Sequence, residues 1–202
     1  MEDSELYESF GRTWAMEARE IERLREYVDR AVLARLVKEI SGCTGKVVVT
    51  ACGTSAAAAK KVVHSLSVIN VASVFLVPSD AVHGSLGIVK EDDLVIFISK
   101  GGSTSELACF AENVRQKGAT VVAVTENPDS VLAGYADILV IVKIEQEPDE
   151  FNMLATASTL AVISVFDAVC IALMRYEGFT LETFALNHPK GAVGDRLLHN
   201  GR

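Results

Sequence analysis

Residues 94–106 read Leu94-Val95-Ile96-Phe97-Ile98-Ser99-Lys100-Gly101-Gly102-Ser103-Thr104-Ser105-Glu106. Five large apolar residues in a row, with no alternation, predict a short strand buried on both faces. The run ends in glycines and hydroxyls, and the segment from Thr104 to Lys117 is helical in character. Strand, glycine-hydroxyl loop and helix together form the repeating unit of a parallel sheet. A second copy of the unit lies upstream. There VVVTA at 47–51 leads through Ala51-Cys52-Gly53-Thr54-Ser55 into a helical segment from Ser55 to Ile69. ASVFLV at 72–77, TVVAVT at 120–125 and ILVIV at 138–142 bring the strand runs to five. The expectation is an α/β fold whose five parallel strands are joined by right-handed crossovers.

Outside this region, 154–176 predicts a long helix, and a short helix near 180–187 precedes the tail HPKGAVGDRLL. At the other end, Leu6, Phe10, Trp14, Ile21, Leu24 and Val28 recur at helical spacing between Ser4 and about Ile40. One long helix, or two broken near Gly11, is expected, its stripe packed on its own domain or on a second subunit. Contact with a second subunit is the preferred reading. The division is a helical extension over 1–42 and one domain over 43–202.

The chain has 202 residues, half of them apolar, and a net charge of −8. A chain of this length hides about 70% of its unfolded surface on folding, so it needs no disulfide or metal to hold a core. The acidic balance and scattered basic residues argue against nucleic acid as a partner. Asp167 inside the apolar stretch Leu154 to Met174 argues against a membrane span. Cys43, Cys52, Cys109 and Cys170 form no C-x-x-C pair, so they are expected to be small buried residues with no metal bound. With the acidic start MEDSELYESFGRTW, this predicts an unexported, cytoplasmic protein.

In an open parallel sheet, ligands sit beyond the carboxyl ends of the strands. Both glycine-hydroxyl loops lie there, each opening a helix whose N–H groups favour an anion. Neither is a dinucleotide or Walker loop, so the expected guest is a small phosphorylated metabolite. On the residues alone, Ser55 and Thr104 read equally as ordinary helix N-caps. Glu106, Glu145 and Glu147 read as solvated charges or as a general base tuned by its surroundings. His83 and His188 stand in loop-like contexts and are structural or catalytic; His64 and His199 look like surface residues.

These loops resemble those of the sugar isomerase (SIS) domain family, ACGTS matching the isomerase domain of glucosamine-6-phosphate synthases. PSDAVHGSLGIV, DDLVIFIS, TENPDSVLAGYAD, FDAV and EGFTLETFALNHPKGAVGDRLL resemble the arabinose-5-phosphate isomerase branch, in register from about 46 to 198. The resemblance implies a three-layer αβα sandwich of flavodoxin-like topology. It also implies an aldose–ketose isomerase working through an enediol, with no metal or organic cofactor. Its catalytic residues map to Glu147, His188, Glu106 and His83. Its phosphate loops map to Gly53, Thr54, Ser55, Ser99, Lys100, Gly102, Ser103 and Thr104. Family members form tetramers, so a homo-oligomer is expected, with the histidine-bearing tail reaching a neighbour. Longer members carry a paired CBS module, and this chain is expected to do without that regulation.

The ligand loops depart from the branch pattern. Thr54 replaces a lysine and Ala56 a glycine, the second loop carries Lys100 in place of asparagine, and Glu147 is followed by Pro148-Asp149-Glu150. A changed substrate is one expectation; a phosphosugar sensor without turnover is the other. Lys100 reads either as the replacement cation or as an exposed lysine.

Overall fold

In the computed structural model, which describes residues 2–190, the five apolar runs form one parallel sheet of order β2-β1-β3-β4-β5. The strands are β1 (Val47–Ala51), β2 (Ser73–Phe75), β3 (Leu94–Ile98), β4 (Thr120–Thr125) and β5 (Ile138–Ile141). β1 and β3 are in register over five residues, Val47 opposite Leu94 through Ala51 opposite Ile98. The helices are α1 (Asp3–Tyr27), α2 (Arg30–Gly42), α3 (Gly53–Val68), α4 (Pro78–Ala81), α5 (Ser105–Gln116), α6 (Val131–Tyr135), α7 (Ala157–Tyr176) and α8 (Leu181–Asn187).

Successive strand side chains point to opposite faces, and both faces are covered. Val47, Val49, Ile96, Ile98, Val122 and Val124 meet α2, α3 and α7 through Leu36, Ile40, Val62, Leu66, Val165 and Phe166. Val48, Val95, Phe97, Val121 and Ala123 meet α4, α5 and α6 through Ala81, Leu107, Phe110, Val114 and Leu132. This double burial is why the strand runs are continuous, and it makes the three layers expected above. α7 is long and apolar enough to cross a membrane by composition, yet Ala161, Val165, Phe166, Val169 and Leu173 are packed into the core against the sheet.

The N-terminal helix breaks at a different place from the one expected. Gly11 lies inside α1, and the chain turns instead at Val28, after which Asp29 caps α2 by accepting from the amides of Ala31 and Val32 at 2.8 and 3.3 Å. A helix-interior glycine costs only about 1 kcal/mol and need not end a helix, whereas aspartate strongly favours the cap position. α2 contributes Leu36, Val37 and Ile40 to the core, and Leu24 and Val28 pack against it. Leu6, Tyr7, Phe10 and Trp14 remain exposed. Of the cysteines only Cys170 is buried, and Cys109 is exposed, which corrects the expectation for the four as a set.

The chain leaves β1 towards β2 on one side and returns to β3 on the other. The strand order therefore reverses between β1 and β3, the point at whose carboxyl end ligands of such sheets sit. His199 and most of the tail motif, residues 191–202, lie outside the described residues.

Candidate active site

The loop after β3 is built around Ser99, which is 4% exposed. Its hydroxyl lies 2.8 Å from that of Thr104 and accepts from the Gly102 amide at 3.1 Å. Gly102 has φ +66°, and a Cβ there would collide with the Ser130 side chain and the Thr125 hydroxyl, so this position requires glycine. The Lys100 carbonyl is pinned to the end of β4 by the Thr125 hydroxyl at 2.8 Å and the Glu126 amide at 2.9 Å. Ser103 accepts from the Val131 amide at 3.3 Å, so its hydroxyl ties the loop to α6.

The N-cap reading of the hydroxyls is not what the structure shows. Cys52, not Ser55, occupies the cap of α3 and offers it no side-chain hydrogen bond. Thr104 does occupy the cap of α5, but its hydroxyl turns to Ser99 and leaves the helix uncapped by a side chain. Gly53, at φ +55° with open space around it, and exposed Thr54 lie in the first turn of α3, with Ser55 next to them. Two helix starts without side-chain caps thus follow β1 and β3, where the strand order reverses.

Beyond β5, Glu147 is fully buried. Its Oε2 accepts from the amides of Thr156 at 3.0 Å and Ser158 at 3.3 Å, which makes it the cap of α7. Its Oε1 accepts from the Ser158 hydroxyl and from Lys100 Nζ at 3.1 Å. Burial by itself would raise the Glu147 carboxyl, but Ser158, Lys100 and the two amides outweigh it and hold it below the usual carboxylate range. A base tuned towards neutrality is therefore not what the unliganded protein holds. Lys100, read from sequence as a phosphate donor or a free lysine, is paired with the candidate base.

The segment after Glu147 organises itself. The Glu147 amide donates to Asn152 Oδ1 at 2.7 Å, and Asn152 sits at φ +56°. The Asp149 carboxylate takes the amides of Phe151, Met153 and Leu154 at 2.8 to 3.0 Å. Glu145 is held from α1 by Arg19 and Arg23, and its amide donates to Glu20 at 2.9 Å. Sequence reading missed Asn152, Thr156 and Ser158. The hydroxyl-rich start of the apolar helix was their only signal, and it did not show what they would hold.

Glu106 lies in the exposed first turn of α5. Its own backbone N–H and the Ser105 hydroxyl, 2.8 Å away, hold its carboxyl below the usual range. Burial pushes the Cys52 thiol up, and the Glu106 carboxylate adds to this, which places Glu106 beside the first loop. His83, exposed beyond α4, follows the carboxyl end of β2 and so stands on the same sheet edge.

His188 is not brought to this edge. It stacks on Phe184 with ring centroids 4.3 Å apart, and Asn187 next to it donates to the Val68 carbonyl at 2.9 Å and to Asn70. Those residues end α3, which has run from the ligand edge to the opposite end of the sheet. Within one protomer, His188 and Glu147 therefore lie at opposite edges.

A narrow crevice at the ligand edge is lined by Ser55, Ala58, Lys100, Thr125, Ser158 and Thr159. A roomier cavity of about 410 Å³ opens at the opposite edge, beside Ser41, Asn70, Glu177 and Thr183. The position of the glycine-hydroxyl loops and the buried carboxylate, rather than volume, identifies the first as the candidate site. Among the described residues no group of three or more His, Cys, Asp or Glu is placed to hold a metal ion.

Residues 39–172 match the family model of the SIS domain. Over 154 residues, 76% of this chain, the sequence is 38% identical to the arabinose 5-phosphate isomerase KdsD of Pseudomonas aeruginosa and covers 47% of that protein. The chain spans about half the length of the curated relatives it matches. A Listeria monocytogenes structure, whose proposed activity is sugar-phosphate isomerisation, superposes with a TM-score of 0.93 at 50% identity, covering 94% of this chain and all of that one. An Escherichia coli CFT073 protein solved in complex with arabinose 5-phosphate superposes with a TM-score of 0.89 at 30% identity, again over 94% of this chain and all of that one.

Proposed function

The chain belongs to the SIS domain family, and from that premise we propose that it is an aldose–ketose isomerase acting on a phosphorylated sugar. The observation that carries this reading is Glu147, a buried carboxylate held by the start of α7 and by Lys100 on the same sheet edge as the two glycine-hydroxyl loops. The complex of a 30% identical relative with arabinose 5-phosphate supports a pentose phosphate as the substrate class.

The phosphate sits at the starts of α3 and α5 and takes N–H groups together with the hydroxyls of Ser55, Ser99 and Thr104. Ser99 and Thr104 share one hydroxyl hydrogen between them, which leaves the other to donate to an anion. Glu147 removes the proton from the carbon beside the carbonyl. The electron pair forms the enediol double bond as the carbonyl oxygen gains a proton. Glu147 then returns its proton to the former carbonyl carbon while the hydroxyl on the other enediol carbon gives up its proton and becomes the new carbonyl. Glu106 orients substrate hydroxyls, and His83 serves ring opening and proton transfer to oxygen. His188 joins from a neighbouring subunit of a homo-oligomer, a tetramer in this reading, and the exposed Leu6, Phe10 and Trp14 offer apolar contact area for it. The proposed location is the cytoplasm.

Solvent deuterium exchange into a panel of sugar phosphates tests the reading, because an enediol base leaves a label even where net conversion is small. Glu147→Gln, which keeps shape and removes basicity, should cut exchange at least ~100-fold while binding survives. Near-normal exchange in that variant rejects Glu147 as the base. One observation favours a second reading, a phosphosugar sensor: Lys100 neutralises Glu147 while Thr54 stands where the branch has its lysine. A ligand that binds the wild type without acquiring label would select the sensor.

A further inference from the structure

This inference rests on the phosphate site proposed above and concerns the cation beside it. We propose that Lys100 is shared between two anions, the Glu147 carboxylate and the phosphate of the ligand, so that an arriving phosphate withdraws the counter-ion from Glu147 and makes it a stronger base.

The attachments of Glu147 differ in mobility. The amides of Thr156 and Ser158 and the Ser158 hydroxyl belong to the start of α7 and keep the carboxylate in place whatever the ligand does. Lys100 is held only at its base, where Thr125 and Glu126 pin its carbonyl; its ammonium sits on a four-carbon stem, with the side chain 41% exposed. The crevice that Lys100 lines is also lined by Ser158, which holds Glu147, and by Ser55 of the proposed phosphate site, so the lysine stands between the two.

Several other charges on the segments around Glu147 are engaged elsewhere. Glu145 is taken by Arg19 and Arg23 from α1, Glu20 by the Glu145 amide, and Asp149 by three amides of its own segment. On α3, Lys61 pairs with Asp167 and Lys60 lies over the Phe75 ring, 5.3 Å from its centroid. One ammonium cannot neutralise two anions fully. An opposite charge keeps a carboxylate ionised but weakens it as a base, and losing that charge restores its basicity. This accounts for a candidate base that is held below the usual carboxylate range before any ligand arrives.

Coupling of this kind is reciprocal: whatever discharges Glu147 must tighten anion binding. Calorimetric titration with sulfate tests it without relying on turnover. Glu147→Gln should bind sulfate about 5- to 100-fold more tightly than wild type, and the gain should vanish when Lys100→Met is added. A second measurement covers a Glu147→Gln that fails to fold. Sulfate keeps its charge over the carboxylate range, so wild-type affinity should rise as pH falls through that range, while Lys100→Met stays flat. Equal sulfate affinity in wild type and Glu147→Gln, or a wild-type affinity that does not change with pH, overturns the sharing alone. Absence of sulfate binding in every protein overturns it together with the phosphate assignment.

Discussion

Ser158 donates twice to Glu147, a residue eleven positions earlier: its amide reaches Oε2 at 3.3 Å and its hydroxyl reaches Oε1. Thr156, at the cap position of α7, makes no side-chain cap of its own, so a carboxylate delivered from the β5 edge starts the central apolar helix. Folding and the candidate chemistry thus depend on one side chain.

Ser158→Ala removes one donor to a buried charge and should destabilise the protein by about 1.5–3 kcal/mol at neutral pH. The lost bond is one of those that lower the Glu147 carboxyl, so its contribution is fully present above the ordinary carboxylate range and fades as pH falls through the folded-state value. Urea unfolding of both proteins should show curves that differ at pH 7 and converge in acid. An unchanged difference across pH would detach Ser158 from the ionisation of Glu147.

Gly102→Ala should cost more than about 1 kcal/mol, because it combines a positive φ with a collision against Ser130 and Thr125. The same change deforms the turn that Ser99 holds, so a thermal shift on adding inorganic phosphate should shrink with it. Gly53→Ala, also at positive φ but in open space, meets only the backbone penalty and should be the milder of the two in thermal melts.

Asp93 makes a second acid-sensitive anchor, at the opposite edge. It is 3% exposed and accepts from the Lys46 ammonium at 2.7 Å and from the amides of Lys46 and Lys90. Burial would raise its carboxyl, but these donors outweigh it and lower it. Asp93→Asn should lose about 3 kcal/mol at pH 7, and the gap to wild type should close as pH drops below the usual carboxylate range. Denaturation midpoints at pH 7 and at about pH 2.5, below the ordinary carboxylate value, check this.

Because His188 and Glu147 occupy opposite edges of one protomer, a His188 that acts in catalysis acts in another protomer's site. Glu147→Gln and His188→Ala, each inactive alone, should then recover activity when unfolded together and refolded as a mixture. A mixture as inactive as its parents would confine His188 to its stacking on Phe184.

The strands were legible because burial on both faces leaves an unmistakable sequence trace, an unbroken apolar run. Four of the five runs ended within one residue of the observed strands, and the run 72–77 shortened to Ser73–Phe75. The break between the N-terminal helices falls at Val28, before the Asp29 cap, because a capping aspartate is a stronger boundary signal than a glycine inside a helix such as Gly11. The two loops and Glu147 were found from their positions after strands. What Glu147 touches was not legible, because Lys100, Thr156 and Ser158 come from segments that only the closed sheet brings together.

Strand count, the parallel sheet and the edge carrying the candidate site are readable from the residues alone, because they follow from local periodicity and from the rule that chains cross over a parallel sheet. That Lys100 and Glu147 pair, that Thr104 bonds to Ser99 instead of capping α5, and that His188 stands at the edge opposite the candidate site became visible in the folded chain. Each of these depends on distances between side chains far apart in the chain. Such distances are set by how helices pack across the sheet, which no run of neighbouring residues records.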